Sequence, residues 1–211
     1  GDIIIYMDDD DYYPEERVSH AVETLNDNSL YDIAGCDDIC IYFGEPESKI
    51  YQVGPYRDNH ATAATFAFRR SFLEHHKYND DDLFGEEKGF LNNFTVPLVK
   101  LDPSKTIIVF SHSLNTIDKR FIFNNKEHHK VKVVEKDISE LITNKKYRDF
   151  VLNNEKYVKD YEFGKREYKK DIVETIEKIE KQTKKKLDIV DTIKEQLEEK
   201  SKDELINIIL N

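Results

Sequence analysis

Apolar positions fall in short blocks over the first 125 residues and in a sparse helical rhythm after them. Ile3-Ile4-Ile5-Tyr6-Met7 is an unbroken apolar run, the pattern of a strand buried on both faces, and Asp8 to Asp11 end it. Pro14, then Glu15 and Glu16, then Val18, Ala21, Val22 and Leu25 at helical spacing predict a helix, which Asn26 to Asn28 stop. Further strands are predicted at 39–43, 49–53, 64–68, 96–101 and 106–110, and helices at 69–77 and 85–93, each bounded by Gly, Pro, Asn or Asp. This order implies an α/β domain over 1–125, a mixed sheet with flanking helices.

From 126 to 211 the chain reads as a charged helical extension. Ile172, Ile176, Ile179, Thr183, Leu187, Val190, Ile193 and Leu197 recur at steps of three and four, marking one long amphipathic helix over about 165–200. That stripe suits docking on the parent domain or a coiled coil between copies of the chain equally well. Ser201 and Glu204 match a capping box that would open a last short helix.

Charge narrows the partners. Residues 1–110 hold 22 Asp and Glu against 9 Lys and Arg, while 111–211 hold 21 against 23. The first half repels polyanions, which argues against nucleic acid as its main partner. A bound cation would reverse the local sign and let the same surface accept a diphosphate. No apolar run approaches the roughly 18 residues of a membrane span, and no leader-like segment opens the chain, so a cytoplasmic protein is expected. Cys36 and Cys40 have no second pair and read as reduced packing residues. No P-loop, dinucleotide fingerprint or Gly-x-Ser-x-Gly elbow occurs.

The chemistry concentrates at Asp8 to Asp11. Beyond the carboxyl end of a sheet strand is where α/β proteins hold ligands, and carboxylates are hard ligands suited to Mg²⁺ or Mn²⁺ with substrate phosphate completing the shell. Ser111-His112-Ser113-Leu114-Asn115 follows the strand at 106–110, so His112 is a candidate nitrogen ligand, one that would favour Mn²⁺. Lys119 and Arg120 could meet a diphosphate, or merely solvate a helix end. The pairs His75-His76 and His128-His129 point apart and make no metal site alone.

The run from Ile3 to Pro14 resembles the DxD region of GT-A glycosyltransferases, especially the inverting family 2 and its giant-virus relatives. Asn59-His60-Ala61-Thr62-Ala63-Ala64-Thr65-Phe66-Ala67-Phe68-Arg69-Arg70 is similar to the stretch ahead of the acceptor site, and Gly85-Glu86-Glu87-Lys88 to the acidic pair that opens the catalytic helix, though Glu stands where Asp is usual. The likeness spans about residues 3–123 and implies the C-terminal part of a GT-A, Rossmann-like mixed sheet. It implies a metal-dependent, inverting transfer from a nucleotide sugar, a UDP-sugar donor, to a hydroxyl of a glycan or protein acceptor. By position, Asp8 and Asp9 would face the donor, Asp10 would be the main metal ligand beside Asp8, Glu87 the base with Glu86 its close second, and His60 a contact to acceptor or sugar. In that family a βαβ portion ahead of the DxD strand binds the nucleotide, so the resemblance implies either a longer protein or no donor binding by this chain alone. Two other classes compete: an Asp-cluster phosphoryl-transfer enzyme using two cations, and a non-catalytic helical assembly protein.

Overall fold

A computed structural model describes residues 1–81, 85–159, 168 and 170–198. The chain divides into two compact units, Gly1–Lys165 and Arg166–Asn211. The first is an α/β structure with two mixed four-stranded sheets.

One sheet runs in the order β1 (Ile3–Ile5), β5 (Ala67–Arg69), β2 (Ile33–Gly35), β6 (Val99–Lys100), with β5 antiparallel to both neighbours and β2 parallel to β6. The other runs β7 (Ile108–Ser111), β3 (Ile39–Phe43), β4 (Lys49–Val53), β8 (Lys132–Val133). Here β3 and β4 form an antiparallel pair and β7 lies parallel to β3. The expected strands at 39–43 and 49–53 match residue for residue, because each is an apolar-rich stretch bounded by turn formers.

Other elements are shorter than their patterns suggested. β1 is half-buried, not enclosed on both faces: it ends the strand order of its sheet and pairs only with β5 among the described residues. The 64–68 segment splits into a 3₁₀ turn, Ala63–Thr65, and β5. The helix expected at 69–77 is a 3₁₀ turn, Arg70–Glu74, and that at 85–93 is the single turn α2, Glu87–Phe90. Asn92, Asn93 and Phe94 follow α2 in the left-handed region, which ends the helix. β2 escaped the sequence reading because only Ile33 and Ala34 mark it, between aspartates.

Helix α1 (Arg17–Asp27) packs against the first sheet through Arg17, Ala21 and Leu25, whereas Val18 is exposed. Phe66, Phe68, Phe72, Phe90 and Leu91 fill one side of that sheet. Cys36 is buried, Cys40 half-buried, and both are free thiols.

The stretch 126–158, assigned to the extension on composition, belongs to the first unit. It forms β8, α3 (Ile138–Leu141), α4 (Lys145–Leu152) and α5 (Asn154–Val158). Ile138 and Ile142 pack with Ile50, Ile108 and Phe110, so a few well-spaced apolar residues anchor an otherwise charged segment. Asp137 and Glu140 close a reciprocal capping box on α3.

The second unit contains α6, Lys170–Glu198, a single helix where the long amphipathic one was expected. Ile172 and Ile176 are half-buried and Ile179 is exposed. The stripe's later side chains, from Thr183 to Leu197, and the capping box at Ser201 and Glu204 lie outside the described residues. No helix among the described residues is long and apolar enough to cross a membrane.

Candidate metal centre

The acid run sits where the two sheets meet. β1 delivers the chain to Asp8; four residues later Tyr12 exchanges both backbone hydrogen bonds with Ile108 of β7, at 3.0 and 2.8 Å. Residues 8–11 therefore bridge the carboxyl end of β1 and the edge of β7, and β7 itself ends at Ser111, beside His112. Two strand ends contribute to one corner, the placement in which α/β sheets hold ligands.

Asp8, Asp10 and Asp11 each offer a carboxylate oxygen such that all three lie within 4.8 Å of one another. Asp8 and Asp10 are exposed and Asp11 half-buried. Three convergent carboxylates form an all-oxygen donor set, the type that suits Mg²⁺ or Mn²⁺. Asp9 is exposed and adds only its field to Asp8.

Neighbours hold the corner in shape. His112 Nε2 lies 2.9 Å from Asp10 Oδ2, and Asn115 Nδ2 donates to the same oxygen at 3.3 Å. The Leu114 N–H donates to His112 Nδ1 at 3.2 Å, which assigns the proton to Nε2 and makes His112 a donor to Asp10. Asn115 Oδ1 accepts the His112 N–H at 2.9 Å and fixes the loop. His112 thus stands behind Asp10, while the three converging ligand atoms are all carboxylate oxygens. Asp11 Oδ1 accepts the Phe110 N–H at 2.9 Å, pinning the acid run to β7.

Electrostatics divide the three acids. Hydrogen bonding from His112 holds the Asp10 carboxyl below its ordinary value, against the opposing effect of burial. Burial raises Asp8, and the negative charges of Asp10, Glu86 and Asp9 raise it further while Lys119 opposes them. Burial pushes Asp11 up to about 7, with Asp10 and Asp8 adding to the rise and the Phe110 N–H and Lys119 limiting it. A cluster that strains to stay ionised is one a cation would relieve.

Glu86 and Glu87 lie within electrostatic range of Asp8. Glu87 Oε1 accepts the Ala63 N–H at 3.1 Å. A first-turn acid would have its pKa lowered by a helix dipole, but α2 is a single turn, and burial raises Glu87 instead. The result is a stronger base than the helix position alone implied.

Of the remaining sequence candidates, Lys119 lies within electrostatic range of Asp8, Asp10 and Asp11 and screens them, whereas Arg120 and His60 have their partners elsewhere. Arg120 turns to Glu47, its Nη2 at 3.2 Å, and to the Glu45 carbonyl. His60 stacks on Phe94 with ring centroids 4.9 Å apart, and its Nδ1 is 3.7 Å from Asp37. Asp37 is buried: burial works to raise it, but Lys100 at 2.7 Å and the N–H groups of Arg57 and Tyr56 outweigh that and hold it low. His60 therefore belongs to a separate charged cluster. Asn115 and Tyr13 were missed as site residues. Asn115 follows a candidate histidine by three residues, a spacing that allows such a bond, whereas nothing in the sequence ties Tyr13 to Asp8.

No protein-family model matches the chain, and no curated protein matches it.

Proposed function

We propose that this chain carries the cation-binding and acceptor-side half of a GT-A type glycosyltransferase, acting by metal-dependent, inverting transfer from a nucleotide sugar to a hydroxyl. The observation that carries the reading is the convergence of Asp8, Asp10 and Asp11 at two strand ends, with Glu86 and Glu87 close enough to feel Asp8. Asp10, Asp8 and Asp11 would hold Mn²⁺ or Mg²⁺, and His112 and Asn115 would orient Asp10. The cation supplies Lewis-acid charge to the leaving diphosphate. Lys119 adds positive charge on the same side, where a UDP-sugar diphosphate would approach. Glu87, steadied by the Ala63 N–H and made more basic by burial, would take the proton of the acceptor hydroxyl.

Thermal-shift measurements on the chain extended upstream, with a panel of nucleotide sugars, each with and without Mn²⁺, test this reading, because a ligand of the native state raises the apparent Tm. A Tm rise that requires both nucleotide sugar and Mn²⁺, and is lost in Asp10→Ala, is expected. A nucleotide-sugar shift that is unchanged by EDTA would contradict it.

A further inference from the structure

Two side chains outside the acid run join it to the segment that anchors Glu87. The Asp8 N–H donates to Tyr13 Oη at 2.7 Å, and Tyr13 Oη donates onward to the Ala64 carbonyl at 3.4 Å. Below them Arg17 is almost wholly buried, at 1% exposure. Its Nη2 donates to the carbonyls of Tyr6, Thr65 and Phe66 at 3.2, 2.9 and 3.1 Å. The Arg17 guanidinium also sits over the Tyr13 ring, 6.0 Å from its centroid. Each residue touches the same two stretches: the end of β1 that leads into Asp8, and residues 64–66. Residue 63 of that second stretch gives its N–H to Glu87.

A buried guanidinium is an expensive way to satisfy three carbonyls that water or strand pairing could serve, and here Nε and Nη1 have no partner among the described residues. Helix packing alone would accept an apolar residue at that position, as it does at Ala21 and Leu25. The arginine extends, to the Tyr6 and Thr65 carbonyls, a join that backbone pairing already makes between the two segments at Tyr6 to Phe66 and along β1 and β5.

We infer that Tyr13 and Arg17 are positioning residues that buckle the acid corner to the 63–66 turn, so that the cation site and Glu87 keep one spacing. This rests on the cation reading of the acid corner given above. Tyr13 acts through the Asp8 backbone and not through a ligand atom, so its hydroxyl matters for the shape of the site and for its communication with the turn.

The test uses the full chain and Mn²⁺ alone. Tyr13→Phe keeps the ring over Arg17 and removes only the hydroxyl; Thr106→Val serves as a control that deletes another hydroxyl bond, to the Asp102 carbonyl, at the far end of β7. Loss of one hydrogen bond that shapes the site should weaken Mn²⁺ binding about five- to tenfold in Tyr13→Phe, while Thr106→Val lowers Tm and leaves Mn²⁺ affinity unchanged. Amide exchange supplies a second readout. Mn²⁺ should slow exchange in both 8–11 and 62–66 of the natural chain, but only in 8–11 of Tyr13→Phe. Natural chain that binds no Mn²⁺ overturns the cation reading and this inference with it. Binding with equal affinity in Tyr13→Phe, and equal protection of 62–66, overturns the buckle and leaves the cation reading standing.

Discussion

Asp11→Asn isolates the electrostatic strain in the acid corner. The carboxamide oxygen can keep the 2.9 Å bond from the Phe110 N–H, so the substitution removes charge and little else. Asp11 titrates at about 7 in the fold against a reference of 3.8. A group whose folded pKa is raised stabilises the fold fully below the unfolded value, and that contribution is lost as pH rises through the folded one. That rise would correspond to about 4 kcal/mol at most. Solvent screening at this partly exposed corner reduces the expected effect to about 1–2 kcal/mol. Asp11→Asn should therefore be more stable than the natural chain by that amount at pH 8 and equal to it at pH 4. Urea denaturation at the two pH values measures this directly. With saturating Mn²⁺ at pH 8 the order should reverse, because the natural chain regains a ligand that the variant lacks. Equal stability of the two chains at pH 8 without metal would refute the claim that burial and like charge strain this carboxylate.

Two further substitutions test the frame around the corner. Lys100→Met leaves the buried Asp37 without its cation and should destabilise by about 3 kcal/mol at pH 7; the loss should shrink below pH 4, where Asp37 can protonate, and equal losses at both pH values would argue against an ionised Asp37. Gly54 has a φ of +99°, and a Cβ there would collide with the Asp37 carbonyl, so Gly54→Ala should destabilise by about 3 kcal/mol or more in thermal or urea unfolding; an unchanged midpoint would contradict that packing.

The sequence revealed what local chemistry dictates. The hairpin strands 39–43 and 49–53 are apolar-rich stretches between turn formers, and Asp8 to Asp11 follow an apolar run, so both were legible. What it hid depends on contacts between distant residues. β2 gains strand character from β5 and β6 on either side, not from its own three residues. The segment 126–158 looks like a solvated extension until Ile138 and Ile142 are seen against Ile108 and Phe110. At the site, the acids and His112 were visible as types at strand ends, but the proton on Nε2 is set by the Leu114 N–H and the basicity of Glu87 by burial. Arg17 reads as a surface first-turn residue in sequence, since arginines are seldom buried, and only its three carbonyl partners disclose its role.

Titration of the natural chain with Mn²⁺, followed by the loss of the free-ion EPR signal, asks whether the corner of Asp8, Asp10 and Asp11 grips a divalent cation. One saturable site that Asp10→Ala abolishes, with its far-ultraviolet circular dichroism unchanged, is the predicted result; a signal that never falls below that of free Mn²⁺, or falls equally in Asp10→Ala, would contradict it.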